Sequence, residues 1–142
     1  MENWTNNMKH FLIITNAFKD KNLKLTNEIK GYIEKKGGSC QCFTSTGDDA
    51  KHAAPEADAP ETECVLVLGG DGTLIRAASK LVEQNMALIG VNLGTLGYLC
   101  ELEESNVFAA VDELMEEHYT VEKRMMLCGY GIKQSEKTER KV

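Results

Sequence analysis

No Cys-x-x-Cys pair, no lysine-closed phosphate loop and no apolar stretch approaching the ~20 residues of a membrane span occur in these 142 residues. The cysteines (Cys40, Cys42, Cys64, Cys100, Cys128) are odd in number and no secretory core precedes them, which excludes a disulfide scaffold. Reduced thiols in a cytoplasmic protein are the simplest expectation. Cys64 lies in an apolar run and reads as a small buried hydrophobe, while three scattered histidines offer no zinc spacing, so no structural metal is expected. Positive charge is also short: 16 Lys and Arg against 22 Asp and Glu leave a net charge of −6. That balance speaks against non-specific nucleic-acid or anionic-membrane binding, so any anionic ligand must be held locally. The length suits one domain and is short for a two-domain enzyme.

What is present is an alternation of apolar runs and amphipathic stretches. Residues 1–9 read as a polar, loosely held start, and Phe11-Leu12-Ile13-Ile14 as a first buried strand. Leu25, Ile29, Tyr32 and Ile33 stripe a helix over 22–36 that Gly37-Gly38 ends, and Cys40–Phe43 is a short second strand. Residues 46–63 are rich in Gly, Asp, Ala and Glu, hold both prolines and lack periodicity, so a mobile surface loop is expected there. Met86–Val91 is another buried strand. Ser105 is the expected cap of a helix striped by Val107, Ala110, Val111, Leu114 and Met115, and Tyr119–Leu127 reads as extended. This order predicts an α/β fold, a doubly wound and mainly parallel sheet with helices on both faces.

The centre of the chain is Cys64-Val65-Leu66-Val67-Leu68-Gly69-Gly70-Asp71-Gly72-Thr73, with a helix striped by Leu74, Ala77, Ala78 and Leu81 following at once. Three glycines in four positions allow close backbone approach to an anion, and the helix start adds amide donors. Asp71 is read either as a base in this cradle or as an ordinary N-cap of the helix. Arg76, one turn in, could reach a held phosphate or simply face solvent. A second glycine loop, Asn92-Leu93-Gly94-Thr95-Leu96-Gly97-Tyr98-Leu99, follows the next strand. In a parallel sheet both loops fall on the carboxyl edge, so they are expected to share a pocket. There Asn92 offers an amide, Gly94 and Gly97 leave room for a flat group, and Tyr98 either stacks on a base or caps the core.

With both loops in hand, the chain resembles the NAD kinase family, whose amino-terminal half carries Gly-Gly-Asp-Gly-Thr and then Asn-x-Gly-x-x-Gly-Phe-Leu. Here these are Gly69–Thr73 and Asn92–Leu99, with Tyr98 replacing Phe. The resemblance implies transfer of the terminal phosphate of ATP, or of polyphosphate, to the 2′-hydroxyl of the adenosine ribose of NAD. It implies Asp71 as general base, Gly72 beside the ribose, Gly69, Gly70 and Thr73 near phosphates, Arg76 as a nearby contact, and Tyr98 and Leu99 flanking the dinucleotide. Asp71 and a polyphosphate are both anions at one helix end, so a divalent cation such as Mg²⁺ is expected. The resemblance also implies residues 1–118 as a nucleotide-binding domain and 119–142 as a link into a β domain absent from this chain. It further implies little activity for the chain alone and a homo-oligomer for the longer protein. A diacylglycerol-kinase-like or phosphofructokinase-like phosphotransferase shares the first motif, and a non-catalytic nucleotide-binding module is the alternative from another class.

Overall fold

The computed structural model describes residues 7–45, 62–84, 86–94, 97–133 and 136–141. The expected mobile loop therefore falls, over 46–61, outside the described residues. Five strands, β1 (His10–Asn16), β2 (Ser39–Ser45), β3 (Cys64–Gly69), β4 (Ala87–Asn92) and β5 (Leu102–Glu103), form one sheet in the order β2-β1-β3-β4-β5. All four pairings are parallel, with Ile13 beside both Cys42 and Leu66, and Leu66 beside Ile89. The expected α/β architecture is the one observed.

The helices α1 (Lys24–Lys35), α2 (Asp71–Leu81) and α3 (Val107–Met115) divide between the faces. Alternate strand residues Phe11, Ile13, Cys64, Leu66 and Leu68 pack with Ile29 and Ile33 of α1 and Val107 and Val111 of α3. The intervening Leu12, Ile14, Val65 and Val67 pack with Ala77 and Leu81 of α2. Strand β3 is buried on both faces because it lies mid-sheet between two helical layers, which is why it reads as an unbroken apolar run. At ~1.5–3 kcal/mol per buried aliphatic side chain, these two layers supply the main driving force for folding.

A polar clamp closes the first layer. Tyr32 Oη donates to both oxygens of Asp112, at 2.7 and 2.9 Å, and Lys36 Nζ pairs with the same carboxylate. The lysine and the tyrosine hydroxyl together hold the Asp112 carboxyl below its usual range.

Local expectations are revised in places, and two features of the sheets were not foreseen. Met8 is 1% exposed and its amide donates to Leu114 O at 3.2 Å, so the described end of the polar start is packed into the core. Asn106, rather than Ser105, occupies the N-cap of α3, and its side-chain oxygen accepts the Glu103 amide at 2.8 Å. Strand β5 is two residues long and, among the described strands, pairs with the end of β4, too short to leave a periodic signature. Tyr119–Leu127, expected to be extended, holds a single bridge residue at Val121 and no strand, and after it β6 (Cys128–Lys133) and β7 (Glu136–Lys141) pair as an antiparallel hairpin, β6 short and glycine-interrupted and β7 almost wholly charged. Among the described residues, no helix is long and apolar enough to cross a membrane.

Candidate active site

In the strand order β2-β1-β3-β4-β5, the chain leaves β1 in one direction and β3 in the other. A crevice opens between the carboxyl ends of such strands, and the loops after β1, β3 and β4 lie side by side along it. The turn after β3 is built first. Gly70 is extended at φ −136° and ψ −168° and accepts the Leu74 amide at 3.1 Å, so it is the N-cap and Asp71 is already the first helical residue. The capping role considered for Asp71 is therefore not the one observed.

The Asp71 carboxylate points instead into the second glycine loop. Oδ2 accepts the Tyr98 amide at 2.8 Å and Oδ1 the Leu99 amide at 3.0 Å. The Tyr98 amide first, then those of Leu99 and Cys100, hold the carboxyl below its ordinary 3.8, outweighing partial desolvation. Gly97 makes this approach possible, since a Cβ there would lie 2.5 Å from Asp71 Oδ1 and 2.8 Å from its Cγ. A second tie joins the loops, from the Leu93 amide to Gly69 O at 2.8 Å. The result is an ionised carboxylate fixed by one loop on an element built by the other, with lone-pair capacity left for a further donor.

The remaining predicted residues take different places. The Asn92 side-chain oxygen accepts the Gly94 amide at 3.2 Å and so shapes its own turn. Thr73 is 4% exposed, its hydroxyl turned in toward Gly69. Arg76 is exposed, its Nη1 lies 3.3 Å from the Cβ position of Gly72, and it lines a small cavity with Ser45, Thr73 and Lys80 on the α2 face. Tyr98 is 99% exposed, which removes the core-capping alternative and leaves its ring open to stacking. Leu99, also partly exposed, follows it at the rim.

Sequence reasoning missed Lys19. It stands three residues past β1, and its Nζ lies 3.3 Å from the Cβ position of Gly70 and 3.1 Å from that of Gly94, between the two glycine loops. The available signal was topological, because a cation just past one parallel strand shares an edge with the loops after its neighbours.

As to a divalent cation, Asp71 is a single carboxylate that accepts backbone amides and keeps lone-pair capacity for one further partner. That suits an ion such as Mg²⁺, which is bound through one or two carboxylates together with substrate phosphates.

Residues 20–119 match the family described as ATP-NAD kinase N-terminal domain. The chain is 52% identical over 125 residues to the NAD kinase of Agathobacter rectalis, an alignment covering 87% of this chain and 44% of that protein. With the NAD kinase of Lachnospira eligens it shares 40% over 129 residues, 86% of this chain and 43% of that one. Among solved structures, yeast NADH kinase complexed with NADH superposes with a TM-score of 0.62 at 15% identity, over 98% of this chain and 48% of that chain. That likeness supports the fold. The chain thus spans a little under half the length of the relatives it matches, and within that span it belongs to the ATP-NAD kinase family, as its amino-terminal domain.

Proposed function

We propose that this chain is the catalytic-base half of an NAD kinase, in which Asp71 accepts the proton of the ribose 2′-hydroxyl of NAD as the terminal phosphate of ATP is transferred to it. The observation that carries this reading is the ionised Asp71 carboxylate held between the Gly69–Thr73 turn and the Tyr98–Leu99 amides. The hydroxyl oxygen forms a bond to the γ-phosphorus, the bond from that phosphorus to the β,γ-bridging oxygen breaks, and ADP leaves. Phosphoryl transfer depends mainly on positioning and charge neutralisation, and a placed base adds ~10²–10⁴-fold. In this reading Gly69, Gly70 and Thr73 lie on the phosphate side and Gly72 beside the ribose, with Arg76 next to Gly72. Asn92, Gly94 and Gly97 shape the dinucleotide side, and Tyr98 and Leu99 flank it. Bound Mg²⁺ would neutralise the phosphates, with Asp71 as its protein contact.

The reading extends, on the resemblance, to a boundary near residue 118 with 119–142 leading into a second domain. It likewise includes a cytoplasmic setting and a homo-oligomer for the longer protein. The family match sets aside the lipid-kinase and phosphofructokinase alternatives.

The test measures NADP formation from NAD, ATP and Mg²⁺ by the chain alone and by the chain joined to the carboxyl-terminal half of the Agathobacter rectalis relative. We expect turnover in the joined protein, lowered ~10²–10⁴-fold by Asp71→Asn. A folded joined protein without NADP formation, or with full activity after Asp71→Asn, would sink the reading and favour a binding module.

A further inference from the structure

We infer that Lys19 is the cation that holds the polyphosphate across the two glycine loops, an assignment that rests on the phosphotransferase reading above. Its stem runs along Gly94, with Cε and Cδ 3.8 and 3.9 Å from that residue's Cβ position, and its ammonium ends 3.3 Å from the Cβ position of Gly70. A side chain at either glycine would press on the lysine, so the two loops leave open the space this one cation fills. Its location is also where the topology puts a ligand, at the carboxyl ends of β1 and β3 where the chain direction diverges.

The loop bearing Lys19 is fixed from both sides. Asn16 O accepts the amides of Lys19 at 3.0 Å and Asp20 at 3.2 Å, and Asn16 Oδ1 accepts that of Phe18 at 3.0 Å. Asp20, buried, accepts Leu25 N at 3.1 Å, Thr26 N at 2.9 Å and Thr26 Oγ1 at 2.6 Å. No described carboxylate forms an ion pair with the ammonium, so it is open to an anionic ligand. The charge is needed, since the chain carries −6 and the carboxylate that must stay ionised for catalysis repels the phosphates beside it. Asp71 and Lys19 act in opposite senses on the thiol of Cys100, which places both charges around one point of the site. An ammonium is a compact, rotatable point charge and can follow a phosphoryl group as it moves, whereas a guanidinium fork favours one fixed geometry.

Inorganic tripolyphosphate, and separately ATP, titrated calorimetrically into the native chain, Lys19→Met, Lys19→Arg and Lys21→Met tests this. We expect Lys19→Met to bind both probes about 10- to 100-fold more weakly, with an unchanged thermal midpoint, while Lys19→Arg stays within a few-fold and Lys21→Met matches the native chain. ATP should also protect Lys19, and not Lys21, from acetylation read by mass spectrometry. Equal binding by Lys19→Met, or an equal loss in Lys21→Met, overturns the role of Lys19 and leaves the phosphotransferase reading standing. No binding of either probe by the native chain also overturns the role of Lys19, while the phosphotransferase reading falls only if the joined protein fails the test of NADP formation.

Discussion

Gly97 sits where one added methyl would decide the fate of the base. A Cβ there meets the Asp71 carboxylate at 2.5 Å, and that carboxylate cannot retreat without giving up the Tyr98 and Leu99 amides. Gly97→Ala should therefore lower turnover of the chain joined to its relative's second half by at least about tenfold, because small misplacement of a reacting group is costly in rate. Circular dichroism and the thermal midpoint should stay close to native, since the loop lies at the rim of the sheet. Turnover within twofold of native would show that the carboxylate is not held as described. Of the predicted site residues, Asp71 and the glycines were legible from the motif because backbone approach is a property of local sequence. The direction of the Asp71 side chain was not, since its partners lie 27 and 28 positions away.

At the scale of the element, the turn into α1 is held by one acid. Asn22 and Leu23 both take left-handed conformations, at φ 57° and 54°, and neither is glycine, so the turn persists only because its surroundings enforce it. The buried Asp20 carboxylate supplies that enforcement through its three hydrogen bonds to Leu25 and Thr26. Asp20→Ala should cost about 3 kcal/mol, measured by urea unfolding, because it strands buried donors at a strained turn. It should also weaken tripolyphosphate binding at the neighbouring Lys19. Loss of less than ~0.5 kcal/mol would mean that the turn is held by its backbone bonds alone. Helix positions and stripes were readable from 3.6-residue periodicity, whereas the caps were not. Ser105 and Asn106 are both good caps by residue type, and only the register of the preceding β5 puts Asn106 at the Glu103 amide.

Over the whole molecule, acid is the expected route to unfolding. The carboxyls of Asp71 and Asp112 are held below their ordinary value, so their contribution is full above the unfolded-state value of 3.8 and is lost as pH falls through the lower folded-state values. For the Tyr32–Lys36–Asp112 clamp the Lys36 ammonium is raised above its usual 10.5, so the pair contributes from the acid limb of Asp112 up to the alkaline limb of Lys36. Urea midpoints of native chain and Lys36→Met should differ by a constant amount near neutrality and converge in acid, as pH falls through the lowered folded-state value of Asp112. A difference that persists unchanged into acid would assign the loss to packing over the Tyr32 ring, where the ammonium sits 4.9 Å from the centroid.

The chain's sequence by itself determined the alternation of strands and helices, the two glycine loops and the family they belong to, because periodicity, turn chemistry and motif spacing are local quantities. Only the tertiary structure decided what those loops do to each other. Parallel pairing of β1, β3 and β4 brings three carboxyl-terminal loops to one edge, and there a carboxylate from one, two amides from another and a lysine from the third converge. That convergence depends on strand order, which hydrophobic patterning alone does not specify, since each of these apolar runs would fill the same layer in a neighbouring position.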